Sequence, residues 1–330
     1  DLSITNGSNL FFMGVDLTVS NTFSNEGGIA LKGDEIVTLT EDTNSGSTTF
    51  LFTSTGSFAL AGLTSFFDVT FADPLNQTIT WTMVAPIDVN GDFTISGLNA
   101  TLNANGNDIN VAGEWNNNSG NFTSGLNTVT FDGSATQAIG TGGTTTNKDF
   151  NNIGISNTGD AAYLDSSAID IDGNMTISSG SNFATDGNDT TVGGTFSNEG
   201  TFTLEGSETT LPTTDTDSGT VTYDDSGAGT HATLAAGYSY FGLSFTDNSS
   251  GSTWNMTSPL NVDQSIFIGE TSTLASGGND ITVAGDWDLE AGAFYTHANN
   301  LVTFDGTAQV LAGDTTFYDL TKSAASTDTL

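Results

Sequence analysis

The chain reads as an all-β protein, a parallel β-helix (β-solenoid) with coils of about 21 residues. Three observations predict this. Apolar residues alternate with polar ones in short runs such as Ile169-Asp170-Ile171 and Val129-Thr130-Phe131, the period of a strand. No stretch of ten or more residues keeps a 3.6-residue period, so helix is nearly absent. A short echo also runs along the chain: Val89-Asn90-Gly91-Asp92-Phe93 returns 22 residues on as Val111-Ala112-Gly113-Glu114-Trp115. Ile171-Asp172-Gly173-Asn174-Met175 returns 21 on as Val192-Gly193-Gly194-Thr195-Phe196.

Above the short echo lies a tandem duplication of 173 residues. Phe23–Gly27 recurs as Phe196–Gly200, Pro86–Val89 as Pro259–Val262, and Val129–Gly133 as Val302–Gly306. Each copy is itself doubled. Asp16–Val19, Asp108–Val111, Asp189–Val192 and Asp280–Val283 share a pattern and divide one continuous array over 1–330. Its units fall at approximately 1–85 (partial), 86–167, 168–258 and 259–330 (partial).

In a solenoid each echo is one coil, whose inward Val, Ile and Phe form columns while outward Thr, Asn and Asp meet water. Glycines just after the inward valine suit corners where φ is positive. About sixteen such coils, at the strand spacing, give a rod of roughly 75 Å. A tandem array of immunoglobulin-like β-sandwiches is the alternative, since roughly 90 residues also suits one such domain. Against it stand the echo inside each unit, the lack of Pro/Gly-rich linkers, the varying unit length and the recurrence of aromatics in most coils.

Composition excludes several functions. Asp and Glu number 39 against three Lys (Lys32, Lys148, Lys322) and no Arg, a formal charge of −36. That leaves no footprint for nucleic acid and repels anionic membrane surfaces. No Gly-Lys-Ser/Thr of a P-loop occurs. Without cysteine there are no disulfides, thiolate metal sites or thiol nucleophiles. No run approaches the ~18 apolar residues of a membrane-spanning helix. Yet 22 Phe, 6 Tyr and 4 Trp are enough to build a core, unlike a disordered acidic chain.

The Val-x-Gly-x-Phe/Trp coils, the richness in Asn, Thr, Ser and Gly and the lack of Cys resemble the repetitive β-solenoid regions of bacterial cell-surface proteins, of filamentous-haemagglutinin or autotransporter-adhesin type. The resemblance covers the whole chain in style. The Asn-Pro-Asn-Gly motif of the haemagglutinin secretion domain is missing from it. What the resemblance implies is an extracellular rod, stalk or filament without enzymatic activity.

Carboxylates are the only plentiful reactive groups. Asp215, Asp217, Asp224 and Asp225 form the densest cluster, in the Ser/Thr/Gly-rich stretch 213–230. A glycosidase dyad there would need one protonated and one ionised carboxyl about 5–9 Å apart. Asp224 and Asp225 are adjacent, so on a strand they point to opposite faces, and a solvated acidic loop is the expectation. Calcium suits the oxygens of the recurrent Gly-Asn-Asp at Asp108, Asp189 and Asp280, and of Asp170-x-Asp172-Gly173-Asn174. Turn chemistry accounts for Gly-Asn-Asp without a metal. His231 and His297 have no second histidine at ligand spacing.

Trp115 and Trp287 take the place of Phe23 and Phe196 and read as core. Trp81 and Trp254 have no obvious aromatic counterpart in other units, which makes them the candidates for an exposed platform or a subunit contact. The chain starts and stops inside a unit, with no polar cap at either end. Two readings follow: a window on a longer repetitive chain, or a subunit that stacks head to tail on copies of itself. The expected function is a non-enzymatic extracellular filament or stalk. The alternatives are a surface adhesin binding glycans and a carbohydrate-active β-helix enzyme.

Overall fold

The computed structural model describes the chain except residues 61, 118, 226–228, 232–233, 235–238, 248–250 and 324–330. Every described element is a β-strand of two to five residues, and every strand register described is parallel. The fold is a β-solenoid, as the echo predicts. Immunoglobulin-like sandwiches pair their strands antiparallel and do not fit these registers.

Two compact units divide the chain, one of 1–176 with 191–195 and one of 177–190 with 196–330. In the first, a full coil runs through three strands. Asp68–Ala72, Ile79–Met83 and Ile87–Val89 form one coil, and Phe93–Ser96, Ala100–Asn103 and Ile109–Val111 form the next. Registers such as Val69↔Phe93 and Ile87↔Ile109 advance 24 and 22 residues, so each coil sits on the last with its inward positions aligned. The second unit repeats the plan. Gly242–Thr246, Thr253–Asn255 and Leu260–Val262 are followed by Ile266–Ile268, Thr273–Ala275 and Ile281–Val283.

Alternation within each strand turns these registers into columns. One column in the first unit runs Ile29, Thr48, Val69, Phe93, Trp115, Ile139, Leu164. Phe93 and Trp115 stack with ring centroids 4.1 Å apart and planes 7° from parallel. In the second unit Leu204, Tyr223, Phe245, Ile268 and Leu289 make another. Burying one such side chain contributes roughly 1.5–3 kcal/mol, and the columns repeat it in every coil.

The glycine that follows the inward valine is placed as expected, but for a different reason. Gly91, Gly113, Gly173 and Gly194 have no positive φ. A Cβ on Gly113 would instead stand 2.3 Å from the carbonyl oxygen of Gly91, and one on Gly194 would stand 2.6 Å from that of Gly173. Backbone stacked on backbone at this corner leaves no room for a side chain.

Candidate functional site

Positive φ belongs to the other glycine motif. Asn105-Gly106, Asp186-Gly187 and Gly277-Gly278 each have φ > 0 at both residues. Each pair is closed by a hydrogen bond from the N–H two places after its first member: Asn107 to Ala104 O, Asn188 to Thr185 O and Asn279 to Ser276 O, all 2.9 Å. This is the pattern of a type I′ turn. The asparagine then reaches back one coil: Asn107 Nδ2 donates to Met83 O at 3.2 Å and Asn279 Nδ2 to Met256 O at 3.0 Å. The aspartate reaches forward one coil. Asp108 Oδ1 accepts from Thr128 N at 2.8 Å, Asp189 Oδ1 from Thr209 N at 2.6 Å and Asp280 Oδ1 from Leu301 N at 2.8 Å.

At Asn107-Asp108 and Asn279-Asp280 the motif is therefore an axial rivet: glycine makes the turn, and the two side chains tie it to its neighbouring coils. In the middle copy Asp189 makes the forward tie, and Asn188 Nδ2 donates to Thr185 O and Asp186 O of its own turn. Burial alone would raise the Asp189 carboxyl. Hydrogen bonds from Thr209 and Thr210 outweigh burial and hold it below its usual range. A second ladder works the same way on another corner. Asp68 Oδ1 accepts from Asp92 N and Asp92 Oδ1 from Glu114 N. Asn152 Oδ1 accepts from Asn174 N and Asn174 Oδ1 from Thr195 N, at 2.9 and 2.8 Å. Among the described residues no three His, Asp or Glu side chains are grouped to hold a metal ion.

The acidic cluster of 213–230 also resolves into structural roles. Asp215 Oδ2 accepts from Asn198 N and its Oδ1 from Asp217 N. Its counterpart in the first copy, Asp42, accepts from Asn25 N and Asn44 N in the same way. Asp217 is exposed. Asp225 is not solvated, contrary to expectation: it is only 3% exposed. Its Oδ2 lies 2.7 Å from His231 Nε2 and 2.8 Å from Ser252 Oγ. His231 in turn stacks on Trp254 at 22°. Asp224 ends the strand Thr220–Asp224, and burial, then the charges of Asp247, Asp225 and Asp186, raise its pKa.

Trp81 and Trp254 are corrected outright. Both are fully buried. Trp81 stands in a column between Phe58 and Leu102, and Trp254 between His231 and Leu274. Neither offers an exposed ring to a sugar or a neighbouring subunit. The aromatic partners, Phe58 and His231, lie one coil earlier, and their flanking sequences share little with those of the tryptophans beyond a threonine, Thr55 with Thr78 and Thr230 with Thr253.

Other features had no reading in the sequence. Gln137 is fully buried and donates through Nε2 to Val111 O and Gly113 O at 2.9 and 2.8 Å, and Gln309 does the same to Val283 O and Gly285 O. Their 172-residue spacing is the signal that marks them as a pair. Asp149 is buried, with an Oδ1 that has no hydrogen-bond partner. Burial, then the charges of Asp170 and Asp172, push its pKa up to about 6. On the outer surface of the second unit, Phe267, Asp247, Glu270 and Glu290 border an open groove of about 500 Å3. Phe241 flanks a shallower one on the other side of Phe267.

Comparison with known protein families, with curated proteins and with solved structures finds no match for the chain.

Proposed function

We propose that this chain is a non-enzymatic structural solenoid, a subunit or segment of an extracellular filament or stalk. One observation carries the reading. The recurrent aspartates and asparagines that would serve a cation are engaged with backbone N–H and C=O groups of the neighbouring coil, at Asp108, Asp189, Asp280, Asn107 and Asn279. Polar groups arranged this way resist the parting of coils along the axis. The charge of −36 supports an extended assembly that stays dispersed rather than clumping sideways. Self-association, through stacked coils or as a longer repetitive chain, is the partner this reading names.

Electron microscopy of the native material tests it. Continuous fibres with an axial repeat near ~75 Å, or half of it for one 173-residue copy, are expected. Discrete short particles that do not associate would overturn it.

A glycan-binding surface is the second reading. It is favoured by the groove beside half-buried Phe267, where an aromatic face adjoins hydrogen-bond acceptors. Binding on a glycan array that is lost in Phe267→Ala would support it.

A further inference from the structure

Lys148 is the one lysine of the chain that is buried, at 8% exposure, and it lies in the solenoid wall. The N–H of Phe122 donates to Asn147 O, which places Lys148 next to the inward ring of Phe122. No carboxylate stands within ion-pair distance of its ammonium among the described residues, where the ion pairs are Lys32–Asp34 and His231–Asp225. The Nζ atom donates instead to the main-chain oxygen of Asn117, and it lies 3.4 Å from Asn117 Oδ1. Asn117 is itself only 1% exposed, and its Nδ2 has no hydrogen-bond partner.

The duplication supplies an internal comparison. Two residues after Trp115 stands Asn117, and two after Trp287 stands Leu289. Two residues before Phe150 stands Lys148, and two before Phe317 stands Thr315. The alignment is structural as well, since Phe150 packs on Trp115 at 5.2 Å and Phe317 on Trp287 at 5.4 Å. The Asn and the Lys thus occur together in one copy and are replaced together in the other. In the second copy Thr315 Oγ1 accepts the indole N–H of Trp287 at 3.1 Å. In the first copy the indole N–H of Trp115 has no partner.

We propose that Lys148 and Asn117 join in an intramolecular isopeptide bond. The Lys148 Nζ, as the free amine, adds to Asn117 Cγ. The Cγ–Nδ2 bond breaks, and the proton released from Nζ passes to Nδ2, which departs as ammonia. One amide replaces another, so the step needs neither oxidant nor cofactor. Three features favour it. Burial lowers the Lys148 pKa and so favours the nucleophilic free amine. Amine and carboxamide are held at contact distance, which substitutes fixed proximity for a collision. The departing nitrogen has no hydrogen bond to give up. The product is a covalent clip between coils, and it stands or falls independently of the filament reading.

The scarcity of cations makes the test sharp, because trypsin has only Lys32, Lys148 and Lys322 to cut after. The purified folded chain, then denatured, is expected to be lighter than its sequence by the mass of one ammonia. Trypsin is expected to cut it after Lys32 and Lys322 but not after Lys148. The double variant Asn117→Leu with Lys148→Thr carries the residues of the second copy, so the fold is expected to survive, and it should have its full sequence mass. Full sequence mass in the wild-type chain, together with cleavage after Lys148, overturns the proposal.

Discussion

Trp254 donates its indole N–H to the carbonyl oxygen of Glu205 at 3.1 Å, and Trp81, 173 residues earlier, does the same to Lys32 at 2.9 Å. Each bond spans 49 residues and reaches past the adjacent coil. The tryptophans are therefore struts. Trp81→Ala or Trp254→Ala is expected to destabilise its unit by about 3–5 kcal/mol, from the cavity and the lost contacts. Chemical denaturation checks this, and a variant as stable as wild type would refute the buried placement.

Stability should rise on mild acidification. Asp149 holds its proton more tightly folded than unfolded, because burial and the charges of Asp170 and Asp172 lift its pKa to about 6. The stability it contributes is fully present below the unfolded carboxyl range, near ~4, and is lost as the pH rises through about 6. Asp68, Asp132, Asp170 and Asp224 are raised, burial being the largest cause for each, and act in the same direction; Asp189 is lowered and opposes them. The melting temperature is expected to be higher near pH 5 than near pH 7. Asp149→Asn should raise it at pH 7 and flatten the slope. Thermal scans across this range decide the matter.

The rivet aspartates make a different prediction. Asp108→Ala and Asp280→Ala each remove an acceptor from a backbone N–H of the next coil, at an expected cost of about 1–2 kcal/mol. Because those oxygens already serve as acceptors, calcium or a chelator should leave the melting temperature unchanged. A calcium-dependent rise that disappears in Asp108→Ala would show that the carboxylates serve a metal.

Gln137 and Gln309 differ in one respect that mutation can read. The Oε1 of Gln137 accepts from Gly133 N at 2.9 Å and from Asn157 Nδ2 at 2.5 Å, while the Oε1 of Gln309 has no partner. Gln137→Ala should therefore cost more than Gln309→Ala, by about 1–3 kcal/mol, through the buried groups it leaves unpaired. Equal losses would contradict the asymmetry.

The coil and its columns were legible because period and alternation are written in consecutive residues: Val89, Val111 and Phe131 follow one another up the ladder as the echo implies. What a polar side chain does was much less legible. Asp108 looks like a ligand until the N–H of Thr128, 20 residues away, is seen against it. The glycine after the inward valine was located correctly, but its cause is the coil beneath it and not its own φ. Trp81 seemed unpartnered because Phe58 sits in a local sequence unlike its own. Lys148 gave no sign of facing inward, since the irregular residues after Gln137–Gly140 hide the register that seats it beside Phe122.

The rivets also bear on how such a chain can change length over generations. Apart from the bonds the asparagines make within their own turn, such as Asn107 Nδ2 to Ala104 O, the ties of Asp108 and Asn107 reach no further than the adjacent coil, and even the tryptophan struts stop within two. A coil therefore carries nearly all of its own specification and asks little of distant sequence. Recombination that copies a run of several coils carries the ties inside that run with it. The 173-residue duplication is one such event kept in register, and the lineage can alter reach without inventing a new fold.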